Sequence, residues 1–378
     1  MIGFLCTHNS QPAKINNLMR CKFFITITLF FLTFLSSAWP QTAIDIPSRY
    51  EFSLEIPPRL QWGANFGYCG EMSFISAGLF FGQYCSQFEA RRLASPGKNQ
   101  SLEISQLLLG ASGDGRIPNN DELAAKSMHL QYEAWHARTE ETQAFLGWVK
   151  KNLTEGFPVI IGVFENQSAF GDKNLPMPDS TYDHIVPLFA FGSNKPFLDN
   201  RGEVYESDVI HFSDNGLYSS TNYMPYHFSY RLDTFQKTRN GANLPQSPIY
   251  SVKLGKGANY GIAIKGVADR NGDTLPVMVQ TNLNYEKPEM VDKSNTPPKP
   301  MLLELTVRVS IPNQNESYNL YMYDQFQKVP ESQFNASSSK AVKAWKIPAK
   351  SGPFYEIKIP NFSSNKVAVF RAVSTKAP

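Results

Sequence analysis

"NFGYCGEMSFISAGLFFGQYC", residues 65–85, is the stretch on which the reading of the chain turns. Cys69 is followed by Gly70 and then by Met72, Phe74, Ile75, Leu79, Phe80 and Phe81 with small residues between them. Apolar side chains fall on more than one face, which is the pattern of a helix buried on several sides. A cysteine opening such a helix is a packing residue, half of a disulfide, a metal ligand or a nucleophile. Were 69–85 one helix, Cys69 and Cys85 would lie roughly 24 Å apart, whereas a disulfide needs Cα atoms within about 7 Å. Neither cysteine has a CxxC partner or a His pair at ligand spacing, so no metal and no cofactor are expected. Cys85, in mid-helix, reads as an inert core thiol.

Working outward, "IPPRLQWGANFGY" before the helix is an irregular approach rich in Pro and Gly. The polar "QYCSQFEARRL" reads as the exposed end of the helix, and "ASGDGRIPNNDEL" as a loop leading to a short helix near 122–128. In "TEETQAFLGWVKKNLTEGFPVIIGVF", Thr139 is the expected N-cap, with Phe145, Trp148, Val149 and Leu153 at helical spacing. Gly156 and Pro158 then end that helix. "VIIGVF" (159–164), "HIVPLFAFGS" (184–193) and "VYESDVIHFSDNG" (204–216) read as strands, the last ending in a turn at Asp214-Asn215-Gly216. From about residue 247, eight short β-like runs separated by Pro, Gly, Asn and Ser suggest an antiparallel sandwich.

Composition sets the outer bounds. The 378 residues are 42% hydrophobic and 13% aromatic, enough for a buried core and unlike a disordered chain. A net charge of +3 is too small to imply a nucleic-acid or membrane-surface partner. Near the N-terminus, Arg20 and Lys22 precede an apolar run from Phe23 to Leu35 and then Ser36, Ser37 and Ala38. That is the order of a secretory signal peptide starting at Met19, with cleavage expected after Ala38 or Ala43. The run is short for a membrane span, which takes about 20 residues. The expected product is secreted, extracellular or periplasmic, without stable membrane association after cleavage; an uncleaved anchor is the alternative. Cys6 and Cys21 fall in this leader. The expected organisation is a leader over 1–43, an α+β domain over 44–245 and a β-sandwich over 246–378, with the last boundary inside 239–248.

The order Gln61, Cys69 at a helix start, the "GFPVIIGV" strand, His184 at a strand start and Asp214 resembles the papain-like cysteine peptidase superfamily. It is most similar to the branch resembling bacteriocin-leader-processing (double-glycine peptidase-like) enzymes, over roughly residues 58–220. The resemblance implies a papain-like fold, with the buried helix packed against an antiparallel sheet. It also implies a thiol hydrolase acting on peptide or other amide bonds of a peptide or protein substrate. Cys69 would be the nucleophile, His184 the general acid and base, Asp214 its orienting partner, and Gln61 an oxyanion donor.

Elementary chemistry supports such a grouping. A free thiol is mostly protonated at neutral pH, and a helix N-terminus or an imidazolium beside it favours the thiolate. Several assignments stay open on sequence alone. Asn215 competes with Asp214, Asn65 competes with Gln61, and His211, on the strand leading to Asp214, is a rival base. His129, His136 and His227 have no supporting neighbours. Glu71, in the first helical turn, suits the helix dipole but opposes a nearby thiolate. Two other functions stay open: an acyltransferase or deamidase using the same triad, and a non-catalytic secreted binding protein on this scaffold. "DRNGDT" (269–274) starts like a calcium loop but lacks the later ligands, so a β-turn is expected. Asn-x-Ser/Thr tripeptides at Asn99, Asn152, Asn166, Asn315, Asn335 and Asn361 matter only in a host that glycosylates secreted proteins.

Overall fold

The buried helix is shorter than its apolar run. After strand β1 (Tyr50–Ser53) and an irregular approach, α1 spans Cys69–Phe80, and the chain turns at Gly82 in a left-handed conformation (φ 75°). A side chain at Gly82 would also place its Cβ 2.8 Å from Val277 Cβ. The turn feeds strand β2 (Gln83–Tyr84) and a second helix, α2 (Gln87–Ala94), capped by Ser86, whose Oγ accepts from the Glu89 N–H. The expected exposed end of one long helix is therefore two separate elements, with Gln83, Gln87 and Arg91 buried.

The computed structural model describes residues 47–110, 119–135, 139–171, 182–197, 202–257, 259–286 and 293–377. The leader over 1–43, with Cys6 and Cys21, and His136 lie outside the described residues. Onward from α2 come α3 (Asn120–Ser127), β3 (Leu130–Trp135), α4 (Thr142–Thr154), β4 (Val159–Glu165), α5 (Gln167–Phe170), β5 (His184–Ser193), β6 (Val209–Tyr218) and β7 (Pro225–Arg231). Next are α6 (Leu232–Phe235), β8 (Gln236–Lys237), α7 (Arg239–Ala242), β9 (Tyr250–Lys253) and β10 (Gly261–Val267). Helix α4 starts three residues after the expected cap, with Glu141 at the N-cap, and Gly156 (φ 94°) ends it as expected. The expected turn at Asp214–Gly216 lies inside β6. There the ladder to β7 shifts register between Ser213 and Tyr218, because Asp214 Oδ1 accepts from the Gly216 and Leu217 N–H groups.

The main sheet runs β3-β10-β4-β5-β6-β7, with β1 also on β5, β9 on β4 and β8 on β9. All its pairs are antiparallel except β8 with β9. β4 from Val159 to Phe164 and β5 from Ile185 to Phe191 are apolar because both their faces are covered. Val159, Ile161, Val186 and Leu188 share a core with Phe145 and Val149 of α4, while Ile160 and Ile185 share one with Met72 and Phe74 of α1.

The remaining strands are β11 (Thr274–Leu275), β12 (Val277–Thr281), β13 (Leu302–Ser310), β14 (Tyr318–Tyr323), β15 (Lys343–Ile347), β16 (Phe354–Ser363) and β17 (Ala368–Ser374). They form two antiparallel sheets, β12-β13-β16 and β11-β17-β14-β15, the latter extended by β2. Val307 and Leu320, one from each sheet, belong to the same core as Met72 of α1. The first two of the eight C-terminal runs are β9 and β10 of the main sheet, so that sheet continues past residue 245. The 239–248 segment is not its edge. The chain is thus α+β with mostly antiparallel sheets. Among the described residues, no helix is long and apolar enough to cross a membrane.

Candidate active site

Cys69 is the first residue of α1, and Gly70 beside it is set by steric need. A Cβ on Gly70 would sit 2.0 Å from the Leu107 carbonyl oxygen, so only glycine lets that strip of chain cross the helix start. Cys69 is half-buried, whereas Cys85 is fully buried; both thiols are free. Burial pushes the Cys85 thiol well up, which suits an inert core cysteine.

His184 opens β5 and is nearly buried (4% exposed). Its Nε2 lies 3.0 Å from Oδ1 of the fully buried Asp214. Burial alone would discourage a charged ring. The Asp214 carboxylate, together with hydrogen bonding to Cys69, outweighs it and holds His184 well above the usual imidazole range. Burial likewise works against an ionised Asp214, yet His184, the Tyr250 hydroxyl and the Gly216 N–H hold its carboxyl below the usual range. Tyr250, on β9, donates its hydroxyl hydrogen to Asp214 Oδ2 and stacks its ring on His184 (centroids 5.6 Å apart, planes at 24°). The structure thus brings Cys69, His184 and Asp214 together. Glu165 at the end of β4 is close enough to feel both His184 and Asp214, and burial raises its carboxyl.

The rival residues have other partners. Asn215 Nδ2 lies 3.0 Å from the Cys69 carbonyl oxygen, 3.1 Å from Ser73 Oγ and 3.1 Å from the Ile185 carbonyl oxygen. It staples the first turn of α1 to β5 and does not orient the imidazole. Asn65 donates its amide to the Tyr68 hydroxyl and the Ser294 carbonyl. His211 lies three residues before Asp214 on an alternating strand, hence on the opposite face; its Nδ1 lies 2.7 Å from Ser229 Oγ.

Gln61 is held against the site in spite of its eight-residue separation from Cys69. Its backbone N–H donates to the Asn215 carbonyl (2.7 Å). A Cβ on Gly216 would lie 2.7 Å from Gln61 Nε2, and one on Gly67 3.7 Å from Gln61 Oε1. Three consecutive left-handed residues, Asn65, Phe66 and Gly67, curl the intervening chain and shorten its reach. The N-cap residue Tyr68 makes no side-chain cap bond at the N-terminus of α1.

Glu71 does not confront the thiol as a bare charge. It is buried, and its Oε1 accepts from Arg91 Nε (2.5 Å) and from the Leu107 N–H (3.0 Å). Arg91 also donates to the Asn65 and Gly67 carbonyls and lies 3.7 Å over the Tyr68 ring. This pair pins the left-handed loop that delivers Cys69. Sequence reading did not find Arg91 or Tyr250, because neither sits at a motif spacing from the residue it serves.

Among the described residues, no group of three or more His, Cys, Asp or Glu is placed to hold a metal ion. In the "DRNGDT" segment, Asp269 accepts from the Asn271, Gly272 and Thr274 N–H groups, which closes a turn. The chain matches no protein-family model and no curated protein sequence.

Proposed function

We propose that this protein is an exported cysteine hydrolase of papain-like architecture that cleaves peptide or other amide bonds. The observation that carries the reading is the contact chain Cys69–His184–Asp214 at a helix start, with the aspartate further held by Tyr250. With Nε2 committed to Asp214, His184 has Nδ1 for the thiol. The Cys69 sulfur attacks the carbonyl carbon, and negative charge develops on its oxygen. The Cys69 N–H and the Gln61 amide are the donors nearest that charge. His184 passes its proton to the leaving nitrogen as the C–N bond breaks and a thioester forms. It then takes a proton from water, which attacks the thioester and frees the acid and Cys69. In this reading the two C-terminal sheets form an accessory β-sandwich behind the catalytic half.

The test is alkylation by iodoacetamide, followed by mass spectrometry, alongside hydrolysis of a peptide library. Cys69 should be the labelled residue and Cys85 should not. Cys69→Ala should abolish hydrolysis, and His184→Ala should slow alkylation of Cys69 at least about tenfold. Equal alkylation rates with and without the imidazole, or hydrolysis surviving in Cys69→Ala, would overturn the assignment.

A further inference from the structure

A cavity of about 760 Å³ opens at the other end of α1 from Cys69, where Phe80 and Phe81 meet β11, β12, β13, β16 and β17. Eleven residues of helix put it roughly 16 Å from the thiol, so it is separate from the candidate active site. Phe80, Phe81, Leu275, Val277 and Phe370 give it an apolar wall.

Arg371, on β17, also lines it and is itself 1% exposed. Its Nη1 donates to the Phe370 carbonyl (2.8 Å) and the Phe81 carbonyl (3.4 Å), and its Nη2 to Gln83 Oε1 (3.0 Å). Nε has no partner, and among the described residues no carboxylate pairs with this guanidinium. Two other cations on the wall are already paired: Arg308 with Glu356, and Lys265 with Glu155. Of the acids facing the cavity, Asp269 acts on Arg371 through space without pairing to it, its oxygens being bonded within its own turn, and Glu55 is exposed. A buried arginine without a directly paired carboxylate is costly unless an anion meets it. Burial already pulls Arg371 down to about 10.

We propose that this cavity is a binding site for an amphiphilic monocarboxylate, whose carboxylate meets the Nε/Nη2 edge of Arg371 while its apolar body lies against the phenylalanine wall. That edge carries two parallel N–H groups at the spacing of carboxylate oxygens, and the buried guanidinium turns toward the cavity to meet them, Nη2 keeping its second hydrogen for Gln83. A cavity of this size and composition falls within the range of small-ligand sites.

Titration calorimetry of the whole chain with decanoate, decanol and acetate tests it. Decanoate should bind saturably, one per chain, and at least about tenfold tighter than the alcohol or the short acid. Prior alkylation of Cys69 should leave this unchanged. Arg371→Met should weaken decanoate at least tenfold, and Leu275→Trp, which fills the cavity and keeps Arg371, should abolish binding in a chain whose circular dichroism is native. Absent decanoate binding, equal binding of decanol, or full affinity in a folded Leu275→Trp chain would overturn the proposal.

Discussion

At the scale of single residues, His184 and Asp214 shift in opposite directions because each is the other's main stabilising charge. His184 holds its proton more tightly folded than unfolded, so its contribution to stability is complete below about pH 6.5 and is lost as pH rises through the higher folded value. Asp214 is depressed, so its contribution is present above about pH 3.9 and is lost as pH falls through the lower folded value. Urea midpoints of the wild type should therefore be flat from about pH 4 to 6.5 as far as this pair is concerned, and fall at higher pH. Asp214→Asn should lack the alkaline fall. In the proposed reaction the same substitution should move the alkaline limb of the pH–rate profile down by about 1–3 pH units. A limb unmoved in Asp214→Asn would show that the carboxylate does not set the basicity of His184.

At the scale of elements, α1 carries the thiol because three local features agree. The left-handed loop at 65–67 ends the approach, Gly70 admits the Leu107 backbone, and the buried Glu71–Arg91 pair fixes the loop to α2. Gly70→Ala would force a methyl group against the Leu107 carbonyl, and overpacking of this kind costs about 1–3 kcal/mol. Guanidinium denaturation should register that loss, with the rate of Cys69 alkylation changed in the same variant. A wild-type midpoint would mean that the 105–109 strip yields freely. Asn215 works at this scale too, joining the first turn of α1 to β5 and so holding the cysteine and histidine elements together.

At the scale of the whole molecule, the described residues form one compact unit, and its core passes through α1 from the main sheet to the C-terminal sheets. β10 sits between β3 and β4, so a chain cut at 245 would lose the strand that joins β3 to the sheet and β9 with Tyr250 as well. A buried link adds to this: Arg59 donates to Thr281 and the Leu283 carbonyl and pairs with Glu286, which also accepts from the Tyr84 hydroxyl. A fragment covering 47–245 should accordingly show no cooperative thermal transition by circular dichroism. A sharp transition in that fragment would restore the boundary expected from the strand-like runs.

Elements with local signals were legible in the chain alone: the helix opening at Cys69, the end of α4 at Gly156, the apolar runs of β4 and β5, and the order of Cys69, His184 and Asp214 along the chain. Periodicity, glycine conformations and strand-like runs are properties of neighbouring residues, and survive without knowledge of the fold. That Asp214, not Asn215, meets the imidazole came from the assembled fold: both side chains are buried, and the Asn215 amide is bonded to the Cys69 and Ile185 carbonyls while Asp214 Oδ1 lies 3.0 Å from His184 Nε2. The fold also decided that Tyr250 backs the aspartate, that Arg91 neutralises Glu71, and that β9 and β10 leave the C-terminal runs for the main sheet. Those outcomes rest on pairings across 20 to more than 100 residues, and burial, which makes such pairings compulsory, is a property of the assembled core.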